Sequence, residues 1–304
     1  MNEVTMSGSP VETAGARVMT RGSVLVTIRR NIGWGVSALA LCSTLAILLA
    51  IFWFVLSRGL PALKPTLFTT VTSGIAGGLE NAILGTLMLV TFAVVIVSII
   101  GFGTGIWLSS YASPKPRELV RLLTDVLAGV PSVVVGYFGY ILLVKMAGWQ
   151  FSLAGGAIAL TIIMLPYVVR GTDLALESVP RELKEGGFAL GATYTTVLMT
   201  VSWPYALPSV FTMLLLATGI ALGETAPLIY TAGWSNYLPT AHLTHSPVPY
   251  LTYVIWTFIS QPFAESHALA YAAAALLMLM IVVTNVFARS WLESLARKQR
   301  GERA

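Results

Sequence analysis

Glu185-Gly186-Gly187-Phe188-Ala189-Leu190-Gly191, followed nine residues later by Val201-Ser202-Trp203-Pro204, is the stretch that decides how this chain is read. Its charged, amphipathic start, its glycine break and its return to apolar sequence describe a short polar helix set between two hydrophobic runs. Upstream, residues 170–203 alternate charge with apolarity, from Arg170, Asp173 and Glu177 to Glu182, Lys184 and Glu185. Pro180 suits a first helical turn, and Gly191 suits the residue that ends the helix. Between Lys184 and Arg289 there is no Lys or Arg at all.

The surroundings of that segment are lipid-like. Of the 304 residues, 56% are hydrophobic and 10% charged. A soluble domain carries about 25% charged residues, so this composition cannot cover a water-facing surface. Cys42 is the single cysteine, which excludes an intrachain disulfide. A span needs ~20 mostly apolar residues. Six runs qualify, at 34–56, 82–108, 120–144, 151–169, 205–230 and 268–288, giving an all-α, polytopic membrane protein. The first run is too long for a signal-peptide core and is read as a retained span.

The net charge of +5 reflects topology rather than nucleic-acid binding. With the amino terminus inside, fifteen of the eighteen Lys and Arg residues fall on the inner side, leaving Arg58, Lys64 and Lys145 outside. This positive-inside bias places both termini in the cytoplasm and 170–203 on the cytoplasmic face. One membrane domain at 34–291 is expected. It is flanked by basic tails at 1–33 and 292–304 and carries a long outer loop at 231–267.

Two absences bear on energy. There is no Gly-Lys dipeptide, so the phosphate-cradling loop of nucleotide-binding proteins has no counterpart here. Nor is there a dense set of mid-membrane carboxylates of the kind ion-coupled carriers use. A partner must supply the work, and the amphipathic knob with Phe188, Ala189 and Leu190 at its tip is where it would dock. The competing reading is a plain interfacial helix lying on the inner leaflet.

Polar and helix-breaking residues within the spans mark a candidate path. Gly129, Pro131 and Ser132 interrupt the third run, since proline lacks an amide hydrogen and clashes with the preceding turn. Broken helices often border a transporter's substrate route, although an ordinary packed kink is the alternative. Glu224 is the only carboxylate of the 205–230 run, ~30 Å beyond Pro204 if the helix is continuous, toward its outer end. It reads as a gate residue beside Thr225 and Pro227, or as a hydrogen-bonding group that locks two helices. Thr218 adds a hydroxyl nearby. Arg121 and Asp125 are spaced to form an intrahelical pair, and Arg170 reads as a snorkelling or anchoring residue at the end of its span. His242, His245 and His267 lack the ligand count of a metal site.

The spacing from Glu185 through Gly191 to Pro204 resembles the E-A-A-x3-G-x9-I-x-L-P motif of ABC-importer permeases, with Gly186 and Gly187 in place of the alanines. Gly223-Glu224-Thr225-Ala226-Pro227-Leu228-Ile229-Tyr230 is similar to the hallmark of the PstA family of phosphate-importer permeases. Asp125 to Ser132 and Leu165-Pro166-Tyr167-Val168-Val169-Arg170 agree with it. The resemblance covers roughly residues 78–288. It implies the type I, MetI-like ABC importer fold, with no reaction catalysed and no cofactor bound by this chain. ATP and Mg would be used by a PstB-like ATPase dimer docked on Glu185 to Gly191. A PstC-like sister permease and a PstS-like phosphate-binding protein would complete the assembly. Relatives often carry arginine where this chain has Ile220, one turn before Glu224. The same resemblance leaves a sulfate or molybdate permease open, while a non-transporting scaffold and an ion-coupled carrier are readings of other classes.

Overall fold

The computed structural model describes residues 20–74 and 76–299. The outermost parts of the basic tails expected at 1–33 and 292–304, including Arg17, Arg300 and Arg303, lie outside the described residues. The chain divides into two units, one up to Phe54 and one from Val55 onward.

The first unit is the greater part of helix α1, Thr20–Gly59. Trp34, Leu39, Leu49 and Trp53 are all exposed along it, as a helix solvated by hydrocarbon requires.

Among the described residues, the second unit holds ten further α-helices. They are α2 Glu80–Ser110, α3 Pro114–Ala128, α4 Ser132–Gly139, α5 Leu153–Glu177 and α6 Arg181–Ala189. Then follow α7 Tyr194–Val197, α8 Trp203–Gly223, α9 Ala226–Thr231, α10 Leu251–Phe258 and α11 Ala264–Gln299. A two-residue ribbon, β1 Thr72–Ser73 paired antiparallel with β2 Ala76–Gly77, precedes α2. Among the described residues, five helical stretches are long and apolar enough to cross a membrane, and a bent pair brings the number to six. That pair is α3 with the segment Ser132–Met146, and it turns by 97°. The turn falls on Gly129-Val130-Pro131, where Pro131 in extended backbone caps α4.

Three spans differ in extent from the hydropathy reading. The 120–144 run is bent at its centre. The 151–169 run continues as helix to Glu177, so Arg170, Asp173 and Glu177 belong to the last two turns of α5 rather than to a loop. The 205–230 run stops at Gly223, and α9 starts afresh against α4 and α5. The 231–267 loop is partly helical, since Leu251–Phe258 forms α10 and packs on α11.

Glycines set how closely these helices approach, as expected where no hydrophobic effect separates helix from lipid. On α2, a Cβ at Gly101 would lie 2.7 Å from Val168 Cγ1, and one at Gly105 would lie 2.5 Å from Thr172 Cβ. These two positions let α2 and α5 form the most extensive helix pair of the unit. Gly136 and Gly139 do the same for α4 on α9, where a Cβ would come within 2.6 Å of Pro227 Cα and 2.7 Å of Thr231 Cγ2. The buried core therefore centres on α2, α5, α8 and α11, with Leu89, Leu160, Met164, Val168 and Ala273 inaccessible.

Candidate functional site

Helix α6 carries the projecting site. Its first turn contains Glu182, favourable at the positive end of the helix dipole, and its apolar residues gather on one side. The helix ends at Leu190, after which Gly191 adopts φ +79°. There its amide donates to the Phe188 carbonyl at 2.9 Å, and the Ala192 amide donates to Gly187 at 3.3 Å. A left-handed terminator of this kind disfavours any side chain with a Cβ, which explains the glycine of the motif. Thr193 then caps α7, accepting from the Thr196 amide at 3.3 Å.

The knob is braced from behind. Phe188 stacks on Tyr194 with ring centroids 6.3 Å apart, and Tyr194 meets Tyr111 edge-on at 5.6 Å. The Tyr194 hydroxyl donates to the Ser110 carbonyl at 2.7 Å, fastening the loop to the end of α2. Lys184 reaches back to the Leu176 carbonyl at 3.3 Å. Phe188 is thus half committed to packing, whereas Leu190 is 90% exposed. Glu185, Gly186 and Ala189 are exposed beside it.

The two glycines that replace the motif's alanines have different surroundings. A Cβ at Gly186 would meet nothing within 4 Å, but one at Gly187 would sit 2.9 Å from Val197 Cγ2. Pro204 lies just past a π-helical segment, Leu198–Ser202, between α7 and α8. The wider turn accommodates a proline that cannot donate to the preceding turn.

An ion-pair cluster stands at the base of this knob. Arg121 Nε and Nη2 donate to the two oxygens of Asp173 at 2.8 and 2.9 Å, and Nη2 also contacts Glu177. Arg170 Nη1 adds a contact to Asp173 at 3.2 Å. This corrects the expected Arg121–Asp125 pair. Asp173 is fully buried and must be neutralised, so it takes the guanidinium across the α3–α5 contact, while Asp125 faces outward from α3. Arg170 serves as an anchor within the same cluster.

The second site is a cavity of about 240 Å³ at the α3–α4 bend. Ala128, Val130 and Ser132 contribute from the bend, Tyr167 from α5, and Ile220 and Glu224 from the end of α8. The Ser132 hydroxyl is hydrogen-bonded to the Glu224 carboxylate. Glu224 is half-buried, and its backbone carbonyl accepts from Thr252 Oγ1 at 2.7 Å, which ties the helix break to α10. The cavity wall facing Glu224 comes from the middle of α5, through Ile162, Ile163 and Tyr167, and α8 ends at the residue before this glutamate. Ser132 and Glu224, 92 positions apart in sequence, meet in this one place.

The remaining path candidates are placed around it. Gly129 and Pro131 form the bend, and Thr225 continues the break after Glu224. Pro227 is buried against Gly136. Thr218 bonds back to the Leu214 carbonyl at 2.8 Å, and neither it, Asp125 nor Arg170 lines the cavity. Sequence reasoning gave no role of their own to Asp173, Tyr167 and Tyr194. The i, i+4 spacing of Asp173 and Glu177 was the available signal for the first. Among the described residues, no cluster of three or more His, Cys, Asp or Glu side chains is arranged to hold a metal.

Comparison with known proteins agrees with this architecture. The family model described as binding-protein-dependent transport system inner membrane component matches residues 101–300. The phosphate transport system permease protein PstA 2 of Mycobacterium bovis is 39% identical over 260 residues, spanning 84% of this chain and 86% of its own length. The probable ABC transporter permease protein YqgI of Bacillus subtilis is 33% identical over 276 residues, covering 85% and 94%. The phosphate transport system permease protein PstA of Pasteurella multocida is 35% identical over 260 residues, covering 81% and 90%. Among solved structures, an inward-facing MetNI methionine ABC transporter superposes with a TM-score of 0.61 at 16% identity, covering 71% of this chain and 95% of that one. An amino acid ABC transporter gives 0.54 at 21% identity, covering 71% and 92%. The fold is that of MetI-like importer permeases, and by its sequence the chain belongs to the binding-protein-dependent transport system inner membrane component family.

Proposed function

We propose that this chain is the permease subunit of an ATP-driven importer of inorganic phosphate. The observation that carries the reading is the braced, projecting α6, with Gly191 in the left-handed conformation and Leu190 90% exposed at its tip. Such a knob fits a groove on a separate ATPase, and its fastening to α2 through Tyr194 and Ser110 lets a push on α6 reach the spans. Phosphate as cargo is supported by the names of the relatives that match most of the chain.

In this reading, α6 and both termini face the cytoplasm, which the distribution of Lys and Arg supports. A PstC-like sister permease, a PstB-like ATPase pair that uses ATP and Mg, and a PstS-like binding protein complete the machine. Closure of the ATPases moves the spans as rigid bodies between inward and outward openings. The chain itself performs no covalent chemistry and holds no cofactor. Gly129, Pro131, Ser132, Glu224, Thr225 and Pro227 form the bend and break across which the path opens. Asp125, Arg170 and Thr218 lie off the cavity, with Arg170 anchoring α5.

The test is reconstitution with the partner subunits in vesicles and measurement of labelled phosphate, sulfate and molybdate uptake. ATP-dependent uptake of phosphate in preference to the other two is expected. Uptake that ignores ATP, or that favours sulfate or molybdate, overturns the proposal.

A further inference from the structure

The cavity at the α3–α4 bend has an unusual lining for a chain that moves anions. Among the described residues, no Lys, Arg or His lines it; its polar side chains are Glu224, Ser132 and Tyr167, and the rest is apolar. Ile220, one helical turn before Glu224, contributes a hydrocarbon surface to the same space. At about 240 Å³ the cavity has room for a tetrahedral oxyanion with some of its water, a water's share of liquid volume being ~30 Å³.

A carboxylate with no cation beside it repels an anion unless that anion brings a proton. Sulfate and molybdate are fully deprotonated near neutral pH and present only acceptors, so against Glu224 they make no hydrogen bond. Phosphate retains at least one proton in that range. Its P–OH can donate to the carboxylate in a charge-assisted bond, among the stronger hydrogen bonds available. Tyr167 carries a hydroxyl that can donate to one of the remaining oxygens.

We propose that Glu224 is the group by which this chain distinguishes a proton-bearing tetrahedral oxyanion from a fully deprotonated one, accepting a hydrogen bond from the cargo's own hydroxyl. The inference rests on the phosphate-importer reading and assigns its selectivity to one side chain. The step is a hydrogen bond only, and no proton leaves the cargo. A site built to bond a ligand hydroxyl can reject an analogue lacking it by up to ~10⁴-fold or more.

The experiment uses the complete transporter in vesicles, with the ATPase and ATP in the lumen and phosphate-loaded binding protein outside. Uptake of labelled phosphate is measured while the lumen holds increasing unlabelled phosphate or sulfate. Both reach the cavity from the luminal side without passing the binding protein's own selection. Luminal phosphate should inhibit at concentrations at least about tenfold below those of sulfate. Glu224→Gln, which keeps the side chain's size, should reduce that preference at least about tenfold, and Glu224→Asp should retain it. Ser132→Ala, which frees the carboxylate from its internal donor, should preserve or raise it. Co-purification with the partner subunits checks that each variant assembles; if Glu224→Gln fails to assemble, Ser132→Ala and the wild-type comparison still decide.

Equal inhibition of the wild type by both anions overturns the inference, as does an unchanged preference in Glu224→Gln or a preference lost in Ser132→Ala. Wild-type vesicles that take up no phosphate at all count instead against the importer reading.

Discussion

Arg121 on α3 grips both carboxylate oxygens of Asp173 on α5, at 2.8 and 2.9 Å, and Asp173 has no exposed side-chain surface. The pair joins the helix that bends at the cavity to the helix from whose end α6 is launched. Leu127 at the cavity lies six positions after Arg121, ~9 Å along a helix. The two sites thus share a mechanical element, α3, pinned by an ion pair whose carboxylate is buried.

Removing one partner of that pair leaves a charge without compensation. Arg121→Met should cost about 3–5 kcal/mol in stability, toward the lower figure because Arg170 still reaches Asp173 at 3.2 Å. The double variant Arg121→Met with Asp173→Leu should be less destabilised than the single. Thermal unfolding of the purified chain in nanodiscs checks both, and a single variant as stable as the wild type would show that the pair does not hold α3 in place.

Gly191 should be the least replaceable residue of the knob. At φ +79°, alanine pays about 1–2 kcal/mol, whereas asparagine tolerates that conformation better. Co-purification with the ATPase should fall in the order Gly191, Asn, Ala, with unfolding of the spans unchanged.

The two glycines of the altered motif should respond differently. Gly186→Ala meets open space and adds about 1 kcal/mol of helix propensity, so it should strengthen ATPase binding or leave it unchanged. Gly187→Ala pushes on Val197 and should bind more weakly than Gly186→Ala. Titration of the ATPase onto each variant measures the difference, and identical behaviour would contradict the packing described here.

Leu190 is almost wholly exposed, so Leu190→Glu should not affect permease stability. It should weaken ATPase binding by at least about tenfold, as expected for an apolar anchor at an interface centre. A variant that binds as well as wild type would place the contact elsewhere on α6.

Much of this arrangement is legible in the sequence. The knob follows from local chemistry: Pro180 before the helix, Gly191 after it, and a polar stretch between apolar runs. The bend at Pro131 follows in the same way, because a missing amide and a steric clash act on the nearest turn. The ion pair does not, since Arg121 and Asp173 are 52 residues apart and the nearer Asp125 satisfies the helical spacing rule equally well. Only the burial of Asp173 decides between them, and burial is a property of the packed helices. The break at Glu224 was equally hidden, because an apolar run to Tyr230 has the same hydropathy whether or not the helix stops at Gly223. The close approach of Gly136 and Gly139 to α9 explains where the chain goes afterwards, and that contact is tertiary.

The central claim, that α6 is a lever on the cytoplasmic face, is tested most directly by a single cysteine at its tip. Cys42 is the only native cysteine, so Leu190→Cys in a Cys42→Ser background gives one reporter. Labelling with a membrane-impermeant maleimide is compared between inside-out and right-side-out vesicles, with and without the ATPase. The account predicts labelling only in inside-out vesicles and protection when the ATPase is bound. Labelling from the outer face of right-side-out vesicles would contradict it.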